Sequence, residues 1–422
     1  MRPPLVRLPD GTVHQVSPVT GTVVWTVPGR ANRPLPVAVD RGEPLAPGAE
    51  RHLCAFCEDR MLETPPEKDR LVAGTGEILA HVPASRVSAT TPALRRIPNL
   101  FEIISVDYWR RNHRWEVPTE AHERAAAYAS EPEGRAHLLE IARRRAADLT
   151  DAEWAALDER DRLARADDLF AGSHDVVVAR RHVVDGATRT DQLAGSGTLT
   201  VAEHRDYVRF TARAAGLLYG EQPHARYVSV FQNWLRPAGA SFDHLHKQLV
   251  AIDEYGPQLE REITRMGTDP RLFDREVLDY AEREGLVVAR TDGAVAVAGV
   301  GHRYPAIEVY ATGPRVAPWE SPDQDAVADL LHAVHQATGT HVATNEEWHY
   351  RPPRVAVDMP WRVVLKWRVS NPAGFEGGTK IYVNTIDPWT LRARVVARLH
   401  ELQREGTLAP MAIGDLARAG RR

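Results

Sequence analysis

The chain has 422 residues, of which 43% are hydrophobic and 26% charged, and its formal net charge is −4. This composition is typical of a globular protein. The near balance of charge argues against nucleic acid or a membrane surface as the main partner. The length suggests two or three domains.

Targeting and membrane signals are not found in the sequence. The first residues, MRPPLVRLPDG, contain no apolar segment of the kind that signal peptides carry. No stretch approaches the roughly 18 apolar residues of a membrane span. The two cysteines, Cys54 and Cys57, are too few for a disulfide framework. We therefore expect a cytoplasmic protein.

The first predicted elements are strands. Residues 11–30 alternate apolar and polar side chains, as in TVVWTV at 22–27, and predict one or two strands that end at a Pro-Gly turn. ILAHV at 78–82 and LFEIISV at 100–106 predict two more. Residues 119–168 are rich in Ala, Glu and Arg with apolar residues at helical spacing, which predicts two or three helices.

A longer helix and three strands follow. DVVVARRHV at 175–183 has the pattern of a strand. Thr200 with Glu203 three residues later forms a capping-box signature, which predicts the start of a helix of about 20 residues. RYVSVFQNW at 226–234 and HLHKQLVAID at 244–253 then predict two strands.

The second half repeats this order of elements. A helical linker is predicted near 257–285, and we expect its Glu262 to face solvent because the helix carries many charges. Further strands are predicted near 287–299, 305–312, 340–349, 361–369 and 379–384, and helices near 322–338 and from Pro388. The order strand, strand, helix, strand, strand therefore occurs twice, which suggests two α+β units, 1–255 and 256–422.

Two short motifs carry chemistry. His244 and His246 are two positions apart on a predicted strand, so both side chains lie on one face of it. A neutral imidazole can act as a metal ligand or as a nucleophile. Cys54 and Cys57 form a C-x-x-C pair, which is half of a tetrahedral zinc site. No thioredoxin-like unit surrounds this pair, so metal binding is favoured over redox chemistry.

Six segments together point to a family. SPVTGTVVWTVPGRANRP at 17–34, the C-x-x-C pair, RIPNLFEI at 96–103, HDVVVARRH at 174–182, QNWLRPAGASFDHLHKQ at 232–248 and AGFEGGTKIYVN at 373–384 occur in this order. The chain thereby resembles the galactose-1-phosphate uridylyltransferase family of the HIT superfamily, as a divergent member. The resemblance implies an α+β fold of two HIT-like units. Each unit would be an antiparallel-rich sheet with packed helices, and a helical insertion is expected near 105–170.

The resemblance also implies the catalytic residues. His246 matches the family's nucleophile, which attacks the α-phosphorus of a nucleotide sugar and forms a nucleotidyl-histidine. Ser241 and Gln248 match side chains that hydrogen-bond the phosphoryl oxygens. Donors placed in advance around an oxygen that gains charge are usually the largest single contribution to such catalysis. Lys247 stands where the family has glycine, so it either faces away or adds a cation near the phosphate.

The same resemblance implies one structural zinc per chain. Its ligands are Cys54, Cys57, His182 and His244, and His174 is a competitor for the position of His182. The strand of the second half that is rich in histidine in the family reads PWRVVLKWRV at 360–369 here. It contains no histidine, which argues against a second metal site.

Substrate contacts follow from the resemblance as well. Arg30 and Arg33 match arginines that bind phosphates, and Asn99 and Asn233 match contacts to the nucleotide. Gly239 lets the backbone approach a phosphate closely.

These residues together predict a function. We expect a nucleotidyltransferase that moves a nucleoside monophosphate, first of all UMP, from a nucleotide sugar to a sugar 1-phosphate with ping-pong kinetics. One alternative is a nucleotide-sugar or dinucleoside-polyphosphate phosphorylase, in which inorganic phosphate is the acceptor. Another alternative is a catalytically idle nucleotide-binding protein. The resemblance also suggests a homodimer.

Overall fold

The computed structural model describes residues 3–29, 42–370 and 372–414 and contains both strands and helices. The strands are β1 Leu5–Arg7, β2 Val13–Val16, β3 Val23–Thr26, β4 Asp69–Val72, β5 Ile78–Ala80, β6 Pro92–Pro98, β7 His174–Ala179, β8 Tyr227–Trp234, β9 His246–Ile252, β10 Val287–Arg290, β11 Ala294–Ala298, β12 Ala306–Ala311, β13 Thr344–His349, β14 Arg362–Trp367, β15 Ile381–Asn384 and β16 Ala412–Ile413.

Most helices fall within the regions predicted to be helical, but residues 119–168 contain four helices instead of two or three, and the helices at 106–113 and 374–379 were not predicted. The helices are α1 Val106–His113, α2 Thr119–Ser130, α3 Pro132–Arg145, α4 Asp151–Ala156, α5 Glu159–Ala164, α6 Val201–Glu221, α7 Gly256–Thr268, α8 Asp279–Arg283, α9 Gln324–Thr338, α10 Gly374–Thr379 and α11 Pro388–Glu405. A π-helical turn, Asp274–Leu278, leads into α8. Thr200 caps α6 in a complete capping box with Glu203, as predicted. Among the described helices, none is long and apolar enough to cross a membrane.

Twelve strands form one continuous sheet. Their order is β16-β10-β11-β12-β14-β13-β8-β9-β7-β6-β4-β5, and every neighbouring pair is antiparallel. A second sheet, β1-β2-β3-β15, contains one parallel pair. The predicted antiparallel-rich α+β fold is confirmed. Strands of the two sequence halves meet at the pair of β8 with β13, and a domain boundary at residue 255 stays a prediction.

The large sheet has two different faces. Helix α6 packs on β6, β8 and β9, whereas α9 and α11 pack on strands of the second half, β10 to β12. This helix-covered face holds most of the core. Side chains that are directly opposite in a ladder share a face, so Gln248 and Phe231 lie together on the other face. Asn233, Asn345 and Lys366 continue that face across β8, β13 and β14.

The predicted helical insertion is confirmed between β6 and β7. Helices α1 to α5 occupy it, and part of it has its own small core around Leu138, Ile141 and Leu169. The prediction of a strand at 100–106 is wrong. Strand β6 ends at Pro98, after which the side chain of Asn99 accepts a hydrogen bond from the backbone of Phe101 and turns the chain. Helix α1 then begins after Ser105.

The expectation for Glu262 is also wrong. This residue lies on α7 but is fully buried against β14, where its Oε1 accepts a hydrogen bond from Arg362 Nη2 at 2.5 Å. A buried carboxylate needs such a partner. The number of charged residues on the helix does not reveal which of its faces is buried.

Candidate active site and metal centre

Four predicted zinc ligands come together at the edge of strands β7 and β9. The Sγ atoms of Cys54 and Cys57 are 3.8 Å apart, and the Nδ1 atom of His244 lies 3.5 Å from the first and 3.7 Å from the second. His182 Nδ1 is 3.5 Å from Cys57 Sγ. All four ligand atoms lie within 4.8 Å of one another.

These distances fit a tetrahedral zinc ion. With Zn–S bonds of about 2.3 Å and Zn–N bonds of about 2.0–2.1 Å, a regular tetrahedron places two sulfurs about 3.8 Å apart and a sulfur and a nitrogen about 3.6 Å apart. The four side chains therefore already have the spacing that such an ion requires. A Cys2His2 set leaves no open coordination position, so the ion would be structural.

One ligand is oriented by the backbone of the neighbouring strand. His244 is fully buried, and its Nε2–H donates a hydrogen bond to the carbonyl oxygen of Ala179 at 2.6 Å. The proton on Nε2 leaves the lone pair of Nδ1 facing the cysteines. Metal-ligating histidines usually have such a partner for their second nitrogen. The site thus ties the end of β7 to the start of β9.

His246 lies at the first position of β9 and is only 5% exposed. Its Nδ1–H donates a hydrogen bond to the carbonyl oxygen of His244 at 2.7 Å. In the described part of the chain, Nε2 has no hydrogen-bond partner, so its lone pair is available for attack. Burial lowers the pKa of His246 to about 4. The ring of Phe56, between the two cysteines, packs 5.3 Å from that of His246.

A second histidine, His174, orients the side-chain amide of Gln248. The backbone N–H of Ile103 donates to His174 Nδ1 at 3.2 Å, which places the ring proton on Nε2. That Nε2–H donates to Gln248 Oε1 at 3.0 Å. Because the carbonyl end of the amide is held, its NH2 group is left to donate elsewhere. Asn99 belongs to the same group, since its Nδ2 lies 3.1 Å from His174 Nε2.

The loop between β8 and β9 has an unusual backbone. Leu235 and Gly239 have φ angles of 66° and 90°, and a 3-10 turn separates them. A positive φ is easy for glycine and rare for other residues. The structure shows Gly239 and Ser241 exposed on this loop. The exposed loop therefore presents backbone and a hydroxyl at the edge of the open sheet face.

The second half of the chain holds that loop in place. Asn345 Nδ2 donates to Asn233 Oδ1 at 2.7 Å and to the carbonyl oxygen of Ala238 at 2.8 Å. Arg368 Nη1 donates to Asn345 Oδ1 at 2.7 Å. These residues border a cavity of about 530 Å³, which Tyr255 also lines. Residues of both halves thus contribute to the region beside β9.

Lys247 points to the opposite side of the sheet. It is fully buried under α6 and α9, and its Nζ donates to Glu346 Oε1 at 2.5 Å and to Gln232 Oε1 at 3.1 Å. Of the two possibilities left by the sequence, the one in which Lys247 faces away from the site is therefore correct. Neighbouring residues of a strand point in opposite directions, so His246 and Gln248 share the other face.

The structure brings several of the sequence-predicted residues together, and two of them lie outside the described residues. The four predicted metal ligands cluster as expected, and the structure places His174 beside Gln248 rather than beside the cysteines. Asn99 lies on the same side of the site. Arg30 and Arg33 lie outside the described residues, and their phosphate contacts stay predictions. Sequence reasoning missed Phe56, Asn345 and Arg368, because only the spatial neighbours of the motifs reveal them.

Comparisons with known proteins give a family and a fold. A family model described as a domain of unknown function, DUF4921, matches residues 8–420. No curated protein matches the sequence. Among solved structures, an ADP-glucose phosphorylase from Arabidopsis thaliana with bound ADP-glucose is 18% identical, with a TM-score of 0.60 over 91% of this chain and 97% of that one. A galt-like protein from the same plant is 17% identical, with a TM-score of 0.55 over 90% of this chain and 97% of that one. These likenesses confirm the predicted fold.

Proposed function

The chain belongs to the family of unknown function DUF4921, and we propose that it transfers a nucleoside monophosphate from a nucleotide sugar through a covalent intermediate on His246. The observation that carries the proposal is the hydrogen bond from His246 Nδ1–H to the carbonyl oxygen of His244. It fixes the tautomer of the ring so that Nε2 bears the lone pair, as a nucleophile requires.

In the first step, His246 Nε2 attacks the α-phosphorus of the donor. A P–N bond forms as the bond from the α-phosphorus to the bridging oxygen breaks, and the sugar 1-phosphate leaves with the bonding electron pair. The intermediate carries positive charge on the imidazole ring, and the carbonyl oxygen of His244 stabilises the remaining N–H. The amide NH2 of Gln248 donates to a non-bridging oxygen, where charge develops.

In the second step, a phosphate oxygen of the acceptor attacks the same phosphorus. The P–N bond breaks and its electron pair returns to Nε2, which restores neutral His246. A sugar 1-phosphate acceptor gives a new nucleotide sugar, and uridylyl transfer to a hexose 1-phosphate is our first candidate. Inorganic phosphate gives a nucleoside diphosphate, and the fold shared with an ADP-glucose phosphorylase favours this second candidate.

The metal centre has a supporting role in the proposal. Cys54, Cys57, His182 and His244 would hold zinc, which supplies a rigid crosslink and takes part in no bond-breaking step. The peptide bond of His244 then has a fixed position, and so does the carbonyl oxygen that orients His246. The crosslink would also keep Phe56 against the ring of His246.

Intact-protein mass spectrometry tests the proposal. The protein is mixed briefly with UDP-glucose, UDP-galactose, ADP-glucose, GDP-mannose or diadenosine tetraphosphate. We expect a base-stable, acid-labile mass increase of one nucleoside monophosphate, absent in His246→Ala and retained in the exposed control His341→Ala. The mass identifies the base. Chasing the adduct with a hexose 1-phosphate or with inorganic phosphate then identifies the acceptor.

Two results would contradict the proposal. If the folded, zinc-loaded protein forms no adduct with any donor of the panel but binds a nucleotide, the idle nucleotide-binding protein is the better description. An adduct that survives in His246→Ala would remove His246 as the nucleophile.

A further inference from the structure

His246 belongs to a row of side chains that crosses the open face of the sheet. The register of β8 with β9, continued by two residues, sets Asn233 opposite His246. Asn345 lies opposite Asn233, and Lys366 lies opposite Asn345. Neighbouring strands are about 4.8 Å apart, so Asn345 is about 10 Å from His246 across the sheet. The row therefore leads from the proposed nucleophile into the second half of the chain.

Arg368 lies just beyond β14 at the end of this row. It is half-buried and lines the cavity of about 530 Å³ beside the row. Its Nη1 donates to Asn345 Oδ1 at 2.7 Å, and its guanidinium lies 4.5 Å from the ring centre of Tyr304. These contacts hold the group in place, whereas Nη2 is accessible and has no hydrogen-bond partner among the described residues. Since Arg368 also forms no ion pair in the described part of the chain, its charge is available to a bound anion.

Two asparagines connect Arg368 to a second donor nearer the nucleophile. Asn345 Nδ2 donates to Asn233 Oδ1 at 2.7 Å, so the carbonyl end of the Asn233 amide is held. The Nδ2 of Asn233 has no acceptor among the described residues, and it lies 3.8 Å from the point that a β-carbon on Gly239 would occupy. Hydrogen bonds in a chain polarise one another. A charged donor and a neutral one therefore lie on the same side of His246.

The available charge differs on the two sides of the nucleophile. Towards β14, Lys366 is already paired with Glu347 at 2.6 Å, which leaves the guanidinium of Arg368 for a ligand. Towards β6, the same row reaches Arg95 across β7. Arg95 is buried and is paired with Glu67. Among these described residues, an anion held along the row therefore gains more on the β14 side.

We propose that Arg368 binds the phosphate group that His246 does not attack, which is either the phosphate of the sugar 1-phosphate or the inorganic phosphate that replaces it as acceptor. This inference rests on the proposed nucleotidyl transfer. The two phosphates of the donor share one bridging oxygen, so the second phosphate lies about one strand spacing along the row, over Asn233. There the leaving oxygen gains charge as its bond to the α-phosphorus breaks, and a cation fixed in advance stabilises it. The planar guanidinium suits a phosphate, and Asn345 acts as a positioning residue.

Isothermal titration of the full, zinc-loaded chain tests binding without any covalent step. The probes are inorganic phosphate and α-D-glucose 1-phosphate, and we expect each to bind one to one. Arg368→Ala should weaken both about 10- to 100-fold, because hydrogen bonds to a charged group are lost. Arg368→Lys keeps the charge without the fork and should recover part of the affinity. The matched control is Arg303→Ala, since Arg303 lies 5.5 Å from the same Tyr304 ring but does not line this cavity. It should bind both probes as the wild type does.

The reaction of the nucleotidyl adduct gives a second measurement. Arg368→Ala should lower the rate at which either phosphate probe, below saturation, removes the adduct by about 10- to 100-fold. Slow hydrolysis of the adduct by water should be unchanged, because water brings no phosphate to the site. A purely structural defect would change both rates. The probe that reacts faster with the wild-type adduct identifies the source of the bound phosphate.

Three results would overturn the inference about Arg368. The first is that the wild type binds neither probe. The second is unchanged affinity for both probes in Arg368→Ala, or in Arg368→Lys if the alanine variant does not fold. The third is an equal loss of the reactions with phosphate and with water. Phosphate binding that depends on Arg368 in a protein that forms no adduct would instead support the binding site and refute only the covalent step at His246.

Discussion

Removing the metal should cost the protein a large part of its stability. The four ligands come from three separate segments, and Cys57 and His182 alone are 125 residues apart. A crosslink across a loop of about 100 residues lowers the entropy of the unfolded chain by an amount worth about 4–5 kcal/mol. A zinc ion joins these segments in the same way. We therefore expect the free energy of unfolding to fall by at least about 4 kcal/mol when the metal is lost.

Metal analysis and urea unfolding measure this effect together. The purified protein should contain a single zinc per chain by inductively coupled plasma mass spectrometry. Cys57→Ser and His182→Ala should lose the metal and unfold at much lower urea concentration, and a chelator should do the same to the wild type. His174→Ala is the matched control, because His174 is a buried histidine of the same strand region that does not contact the cysteines. It should retain its zinc.

Two results would refute the reasoning. Zinc retained in Cys57→Ser at wild-type affinity would show that the four side chains are not the ligands. Complete removal of zinc without any change in the unfolding transition would show that the cluster does not crosslink the fold. The second result would also weaken the supporting role of the metal, since the position of the His244 carbonyl would not depend on it.

Three further predictions concern buried polar groups. If His174 acts only by orienting Gln248, His174→Ala should lower the rate of adduct formation about 5- to 10-fold, and Gln248→Ala should lower it about 100-fold. The double variant should then react no more slowly than Gln248→Ala alone. Additive effects of the two substitutions would exclude this coupling. Lys247→Met should lower the free energy of unfolding in urea by about 3 kcal/mol, because it leaves a buried carboxylate without its cation, and a loss below 1 kcal/mol would contradict this. Burial opposes ionisation of Glu308, but the nearby His302, Arg362 and Tyr310 together outweigh it and lower the pKa of Glu308 to about 2. The carboxylate therefore stabilises the fold above its unfolded pKa, near 4.3, and this stabilisation is lost as pH falls from about 5 towards 2. Glu308→Gln should flatten the decline in the urea midpoint over that range.

The four predicted metal ligands follow from the family resemblance, and two local motifs support them. C-x-x-C spaces two cysteines as one metal ion requires, and H-x-H places two imidazoles on one face of a strand whatever its neighbours are. The same alternation, once β9 was identified, sends Lys247 to the core and Gln248 to the open face. The resemblance favoured His182 over His174, and the structure places His182 beside Cys57.

Other parts of the site depend on strand register, which the sequence does not specify. Asn345 contacts Asn233 only because β13 pairs with β8 in one particular register. His174 contacts Gln248 only because β7 pairs with β9. A shift of one residue would turn each side chain to the other face. The same limit applies to Glu262, whose burial depends on a partner about 100 residues away in the chain.

The two halves of the open sheet face support different roles. On β9 the lone pair of His246 Nε2, which has no hydrogen-bond partner among the described residues, belongs to an imidazole, and an imidazole can form and break a bond to phosphorus at neutral pH. On β14 the inward side chain is Arg362, whose guanidinium stays protonated and cannot act as a nucleophile. Its pairing with Glu262 instead fixes α7 over the strand. The chemistry we propose is therefore confined to the first half.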